Sequence, residues 1–271
     1  MHARKKRWLR RLRFILVSYL LIGTILYFVQ ELLLFHPDQL SRRYQYYFPF
    51  PFRELDIPFP GGDTINLVKF FPNGPINKGL VLYFHGNMEN INRYAKFTNS
   101  FTRRGFEVWM EDYPGFGKSL GNRSEENLNK QAMEIYQRAV MEYSPEKIII
   151  FGKSLGTGIA ACLAAHARAK RLILETPYSS IPSLFSCYAP IYPTSLLSHY
   201  QFPTGINIQS TRMPVTIFQG TADAVVPYYC AAELKKNMKP GDEFVTIEGG
   251  THHNLNDFLL FQLKLDSILR N

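Results

Sequence analysis

Cysteine is scarce, at three in 271 residues. Cys162, Cys187 and Cys230 follow no metal-ligand spacing and can form at most one pair, so neither a structural metal nor a disulfide framework is expected to carry the fold. No G-x-G-x-x-G follows the first regular strand, which removes a dinucleotide-binding domain from consideration. Internal repeats and low-complexity tracts are missing, and a hydrophobic content of 46% excludes disordered and collagen-like chains. Acidic residues are absent from the first 13 positions, where seven basic ones stand (Arg4, Lys5, Lys6, Arg7, Arg10, Arg11 and Arg13).

That last absence changes the meaning of the net charge. The formal value of +9 would suggest nucleic acid or an anionic surface, but subtracting the seven N-terminal charges leaves +2 for the rest. The body is close to neutral, and nucleic-acid binding is not expected. Immediately after the basic cluster, Phe14 to Gln30 are all uncharged, and the apolar run resumes at Leu32 to Phe35. The segment has the length of a bilayer span, is apolar on all sides and is followed by no small-x-small cleavage site, so it reads as a signal-anchor. The positive-inside bias keeps residues 1–13 in the cytoplasm and sends the remainder across the membrane as a single-pass protein.

The chain then divides into a juxtamembrane connector at 36–54, aromatic and Pro-rich without clear periodicity, and a regular domain at 55–271. Within the domain, "INLVKFF", "GLVLYFHGN", "FEVWMEDY", "KIIIFG", "RLILET", "PVTIFQG" and "EFVTIEG" read as strands, with helical spacing between most of them. Such alternation implies an α/β fold with a mostly parallel sheet covered on both faces, in which ligands bind at the carboxyl ends of the strands. The Pro- and aromatic-rich interval at about 177–213 is too long for an ordinary connection and reads as a small cap over the site.

"IIIFGKSLGTG", residues 148–158, places Ser154 between a buried strand and an Ala-rich helix in the pattern G-x-S-x-G. Gly152 and Gly156 fit a turn so tight that the serine backbone is strained and its neighbours have no room for a Cβ. A serine hydroxyl needs a base within hydrogen-bond reach and a carboxylate to orient that base. Asp223 follows the strand Val215 to Phe218, and the "GGTHHN" loop, with His252 and His253, follows the strand Phe244 to Ile247. Serine, aspartate and histidine in that order, each after its own strand, fall on one edge of a parallel sheet. Glu175 and Asp112 are alternative acids. Leu155, directly after the serine, and Asn87, in the "HGNMEN" loop, are candidate backbone donors for an oxyanion, while His85 is expected to cap its loop by hydrogen bonding.

The segments His85-Gly86-Asn87, Asp112 to Ser119, Gly152 to Gly156, Gly220 to Asp223 and His253-Asn254 resemble the successive motifs of the α/β-hydrolase superfamily, most closely its single-span, membrane-anchored branch. The resemblance covers roughly Leu55 to the C-terminus, and the anchor matches in position. It implies a Ser154–His253–Asp223 triad, with Asn87 and Leu155 forming the oxyanion hole. His252 stands where the family usually has a small residue, which leaves the choice between the two histidines open. The implied activity is serine hydrolysis of an acyl ester or thioester through an acyl-enzyme, without metal or cofactor, on substrates that include lipids and lipidated proteins. A catalytically silent scaffold binding a lipid or protein partner, and a serine peptidase, are the competing readings. With every implied catalytic group beyond position 80, the anchor is expected to supply location and no chemistry.

Overall fold

The computed structural model describes residues 2–270. Eight strands form one sheet: β1 (Phe52–Phe59), β2 (Asp63–Phe70), β3 (Gly79–Phe84), β4 (Phe106–Glu111), β5 (Ile148–Lys153), β6 (Arg171–Glu175), β7 (Val215–Gly220) and β8 (Glu243–Ile247). Their order is β8-β7-β6-β5-β3-β4-β2-β1, with β1 and β2 antiparallel to their neighbours and every other pairing parallel. The sheet of the α/β-hydrolase fold is thus present, with β5 near its centre.

Period-two alternation along the buried strands feeds two cores. Leu80, Leu82, Ile148, Ile150, Leu172 and Ile217 face one layer, and Val81, Tyr83, Ile149, Phe151, Ile173 and Phe218 face the other. Helices α2 (Ile91–Thr102) and α9 (Leu259–Arg270) pack on the second face, whereas α3 (Glu125–Glu142) and α4 (Gly156–His166) pack on the first. Side chains close the helix entries: Asn90 accepts from the Asn92 N–H, and Ser124 from the Asn127 N–H. The cap interval contains α5 (Ile181–Tyr188), α6 (Thr194–Leu197) and α7 (Thr204–Ser210). One disulfide, Cys187–Cys230, ties α5 to α8 (Tyr228–Ala232).

The largest departure from expectation lies before residue 60. α1 runs His2–Leu34 and is long and apolar enough to cross a membrane, but its end is built into the domain. Leu34 and Phe35 are buried in the first core, where the Phe35 ring meets Tyr200 edge-on at 4.9 Å. His36–Pro37 pair in parallel with Met88–Glu89. The stretch expected as a connector, 36–54, therefore contributes to the fold, and its last three residues open β1. Alternating charges and Pro58 conceal that strand in the sequence; as the sheet's outermost strand it tolerates both, because one side needs no ladder hydrogen bonds.

Candidate active site

Strand β5 ends at Lys153, and Ser154 follows with φ at +52°, a left-handed conformation that a non-glycine residue adopts only when its surroundings enforce it. The Ser154 N–H donates to the Glu175 carbonyl at 2.9 Å, while the Ser154 carbonyl accepts from the Thr157 N–H at 2.9 Å and from the Thr157 hydroxyl at 2.6 Å. A Cβ on Gly156 would lie 2.1 Å from the Phe84 carbonyl oxygen, and one on Gly152 2.6 Å from the Gly156 carbonyl oxygen. Both glycines are required for the backbones to approach this closely.

His252, and not His253, completes the constellation. Its Nε2 is 2.9 Å from Ser154 Oγ, and its Nδ1 is 2.9 Å from Asp223 Oδ2. Since a carboxylate only accepts, Nδ1–H donates to Asp223, leaving Nε2 to accept from the serine hydroxyl. The expectation of His253 is corrected by the loop's geometry. The Asn254 side chain accepts from the Thr251 N–H at 2.7 Å, and the Gly250 carbonyl accepts from the Ala222 N–H at 2.9 Å, fastening the turn to the Asp223 loop. That turn sends His252 inward, where it is 6% exposed, and leaves His253 exposed at the mouth. Matching the "HN" pair to the family motif points one residue beyond the imidazole that meets Ser154, and in a turn no periodicity tells which of two adjacent side chains faces in.

Asp223 is held from both sides. Oδ1 accepts from the Val225 and Val226 N–H groups at 2.8 Å each, and Gln219 Nε2 donates to Oδ2 at 3.2 Å. Burial pushes the carboxyl up, but the hydrogen bond and charge of His252, with the two backbone N–H groups, outweigh it and hold the carboxyl below its ordinary range. The contact of Gln219 with Asp223 is one that sequence reasoning missed, and its signal is a polar side chain near the end of the apolar strand "VTIFQG".

The alternative acids are engaged elsewhere. Glu175 is buried and ion-paired with Lys153. Asp112 accepts from the Ile91 N–H at 2.9 Å and from the Tyr46 hydroxyl at 3.0 Å, with His85 Nε2 at 3.3 Å. His85 is fully buried, and its Nδ1 is 2.7 Å from the Gly86 carbonyl, a loop-holding position.

A cavity of about 260 Å³ opens at Ser154 and is walled by Asn87, Leu155, Tyr178, Phe185, Tyr188 and, unforeseen in the sequence, Leu33 and Leu34 of α1. Among the described residues, neither the Asn87 nor the Leu155 backbone N–H has a hydrogen-bond acceptor, so both can donate to an oxygen developing charge beside Ser154. Asn87 is fixed by the end of α1 and the residues just after it: its side chain donates to the Leu34 carbonyl at 3.0 Å, and its own carbonyl accepts from the His36 N–H at 2.9 Å. A second, polar recess of about 70 Å³ reaches Ser154 from the other side, with Arg93, Lys96, Lys153 and His253 at its rim. Among the described residues, no group of three or more His, Cys, Asp or Glu side chains could hold a metal ion.

A family model described as serine aminopeptidase, S33, matches residues 75–200. The uncharacterised protein Rv2307c of Mycobacterium tuberculosis is 28% identical over 206 residues, 74% of this chain and 72% of that protein. The uncharacterised protein YfhR of Escherichia coli (strain K12) is 26% identical over 230 residues, 80% of this chain and 78% of that protein. Among solved structures, the esterase Pf2001 of Pyrococcus furiosus superposes with a TM-score of 0.67 at 15% identity, covering 88% of this chain and 97% of that one. An alpha-beta serine hydrolase homologue from Coxiella burnetii gives 0.59 at 18% identity, covering 83% and 98%. Strand order, the strained serine after β5 and the likeness to these solved structures together give the chain the α/β-hydrolase fold, and its residues 75–200 are similar to the serine aminopeptidase, S33 family.

Proposed function

We propose that this chain is a membrane-anchored serine hydrolase that cleaves acyl esters or thioesters. The observation that carries the reading is the unbroken hydrogen-bonded chain from Asp223 through His252 to Ser154, ending beside two unengaged backbone N–H groups. In the reaction, Ser154 Oγ bonds to the acyl carbon as its proton passes to His252 Nε2, and the carbonyl electron pair moves onto the oxygen facing Asn87 and Leu155. Collapse of that intermediate breaks the bond to the alkoxide or thiolate, which takes the proton from His252. Water then attacks the acyl-enzyme with His252 as base, releasing the acid and restoring Ser154. Asp223 keeps Nδ1 protonated and stabilises the imidazolium.

Retention of α1 as an anchor is supported by its embedding, since cleavage behind it would remove Leu34 from the core and the Leu34 carbonyl from Asn87. The basic arm and the Cys187–Cys230 disulfide favour a cytoplasmic N-terminus and a catalytic domain in an oxidising compartment. An aminopeptidase needs a free carboxylate for the substrate's ammonium. Among the described residues, those lining the polar recess include no carboxylate, and its Arg93 and Lys153 are paired with Glu89 and Glu175, which favours the esterase reading. The test is labelling of the full chain by a fluorophosphonate probe. Wild type is expected to label, and Ser154→Ala and His252→Ala to fail; an unlabelled wild type that is folded would return the scaffold reading.

A further inference from the structure

Within α1 the run Phe14 to Gln30 is uncharged on every side, yet the cap is met chiefly along one stripe, with Tyr27 beside it edge-on against His199 at 4.4 Å. Tyr19, Gly23, Leu26, Gln30 and Leu33 recur at alternating spacings of four and three, the face a helix presents to a packing partner. Tyr19 stacks on Tyr192 with ring centroids 4.6 Å apart, and Gly23 leaves the space that ring needs, since a Cβ there would lie 3.1 Å from Tyr192 Cε1. Gln30, 3% exposed, uses both ends of its amide: Nε2 donates to the Tyr27 and Leu197 carbonyls, and Oε1 accepts from the His199 N–H at 2.7 Å. The cap therefore runs along roughly 20 Å of α1, from Leu33 to Tyr19, at 1.5 Å per residue.

Between helix and cap lies a second cavity of about 230 Å³, bounded by Leu26, Gln30, Leu33, Phe185, Tyr188 and Tyr192 among others. It shares Leu33, Phe185 and Tyr188 with the cavity at Ser154, so the two adjoin across those three side chains. The Gln30 amide is already satisfied, which leaves the outer cavity without a free polar side chain from α1 and well suited to hydrocarbon. Its far end, at Leu26, lies about 12 Å along α1 from Leu34, inside the segment long enough to span a bilayer. Ile191 and Leu196 on the neighbouring cap are exposed, 71% and 81%, and extend the apolar surface outward from the slot.

We propose that the two cavities form one slot for a single long acyl chain of a membrane lipid ester, which enters sideways from the bilayer between α1 and the cap and presents its carbonyl to Ser154. The proposal rests on the serine-hydrolase reading for the fate of that carbonyl, but the slot itself is testable without turnover. The shared wall with the Ser154 pocket selects an acyl chain over a protein partner, and the position of Leu26 within the apolar part of α1 selects a chain already resident in the membrane over one arriving from water. One slot fits one chain, so monoacyl lipids are the preferred class.

Two experiments on the full chain in phosphatidylcholine nanodiscs test this. In the first, Ser154→Ala is exposed to palmitic acid carrying a terminal diazirine and irradiated. Cross-links are expected on peptides containing Leu26, Phe185 or Tyr192, whereas cross-links spread evenly over the lipid-facing side of α1 would overturn the slot whether or not the protein is an enzyme. In the second, hydrolysis of palmitoyl and butyryl esters is compared. Leu26→Trp, which fills the outer cavity, is expected to lower the palmitoyl-to-butyryl ratio by roughly tenfold or more, while Leu21→Trp on the opposite side of α1 leaves it unchanged. An unaltered ratio in Leu26→Trp refutes the slot, and cleavage of an S-palmitoyl peptide but not of palmitoyl lysophosphatidylcholine refutes the lipid-ester assignment.

Discussion

His252 and His253, adjacent in the chain, stand at right angles, their ring centroids 5.2 Å apart and their planes at 89°. Only the first reaches both Asp223 and Ser154. His252→Ala is expected to reduce kcat on an activated ester by about four orders of magnitude or more, whereas His253→Ala keeps most of it. Steady-state rates on p-nitrophenyl butyrate decide the matter, and the opposite ranking would restore His253 as the base.

The two buried carboxylates near the site should fail in different ways. Asp223→Asn leaves the packing in place but removes the charge that orients the imidazole, so kcat should fall by about 10⁴ with little change in melting temperature. Glu175→Gln leaves Lys153 charged and buried without its partner, and stability should drop by about 3–5 kcal/mol. Paired melting curves and rates for both variants check this; a large loss of turnover in a stable Glu175→Gln protein would make Glu175 the orienting acid.

Glu111 is fully buried, and among the described residues its carboxylate oxygens have no hydrogen-bond partner. Burial, with the charge of Asp112, pushes its pKa up to about 8. An acid whose folded pKa exceeds its unfolded value near 4.5 binds a proton on folding between the two values. Its contribution is therefore complete at the low end and is lost as pH rises toward about 8. Thermal midpoints measured across that interval should decline with pH in the wild type and decline less in Glu111→Gln. Identical slopes would show that Glu111 does not govern this range.

Removal of α1 should harm catalysis even on soluble esters. A chain starting at Gln39 loses the Leu34 carbonyl and the His36 N–H that hold Asn87, together with the Leu33 and Leu34 walls of the pocket. Its kcat/KM on a short ester is expected to fall by about ten- to a hundredfold in protein shown to be folded by circular dichroism. Undiminished efficiency would establish that the anchor supplies location alone, as the sequence suggests.

Much of the fold was legible because each buried strand is a short apolar run bounded by turn residues, and the G-x-S-x-G turn carries its own steric signature. Asp223 was readable from its place after β7. The imidazole that meets Ser154 was harder, since His252 and His253 share one turn and the selection is made by Asn254 and Gly250 through contacts that no spacing encodes. β1 was hidden by the charges and proline an edge strand permits. The share of α1 in the pocket was hidden for a different reason: when every face of a helix is apolar, hydropathy cannot mark the one that packs on protein. Gln30 was the exception, a polar residue in that face whose partners, Leu197 and His199, lie more than 160 positions away.

The stripe from Tyr19 to Leu33 gives α1 an identity that generic spans lack. Exchanging it for another hydrophobic helix of equal length would keep a segment long and apolar enough to span a bilayer while erasing one wall of the pocket, so under the proposed function such helices are not interchangeable. Relatives should then be aligned through this segment by the phase of its packing face, with Tyr19, Gly23 and Gln30 as markers. A homologue that keeps the hydrolase body but carries an unrelated span would be expected to act on different acyl groups.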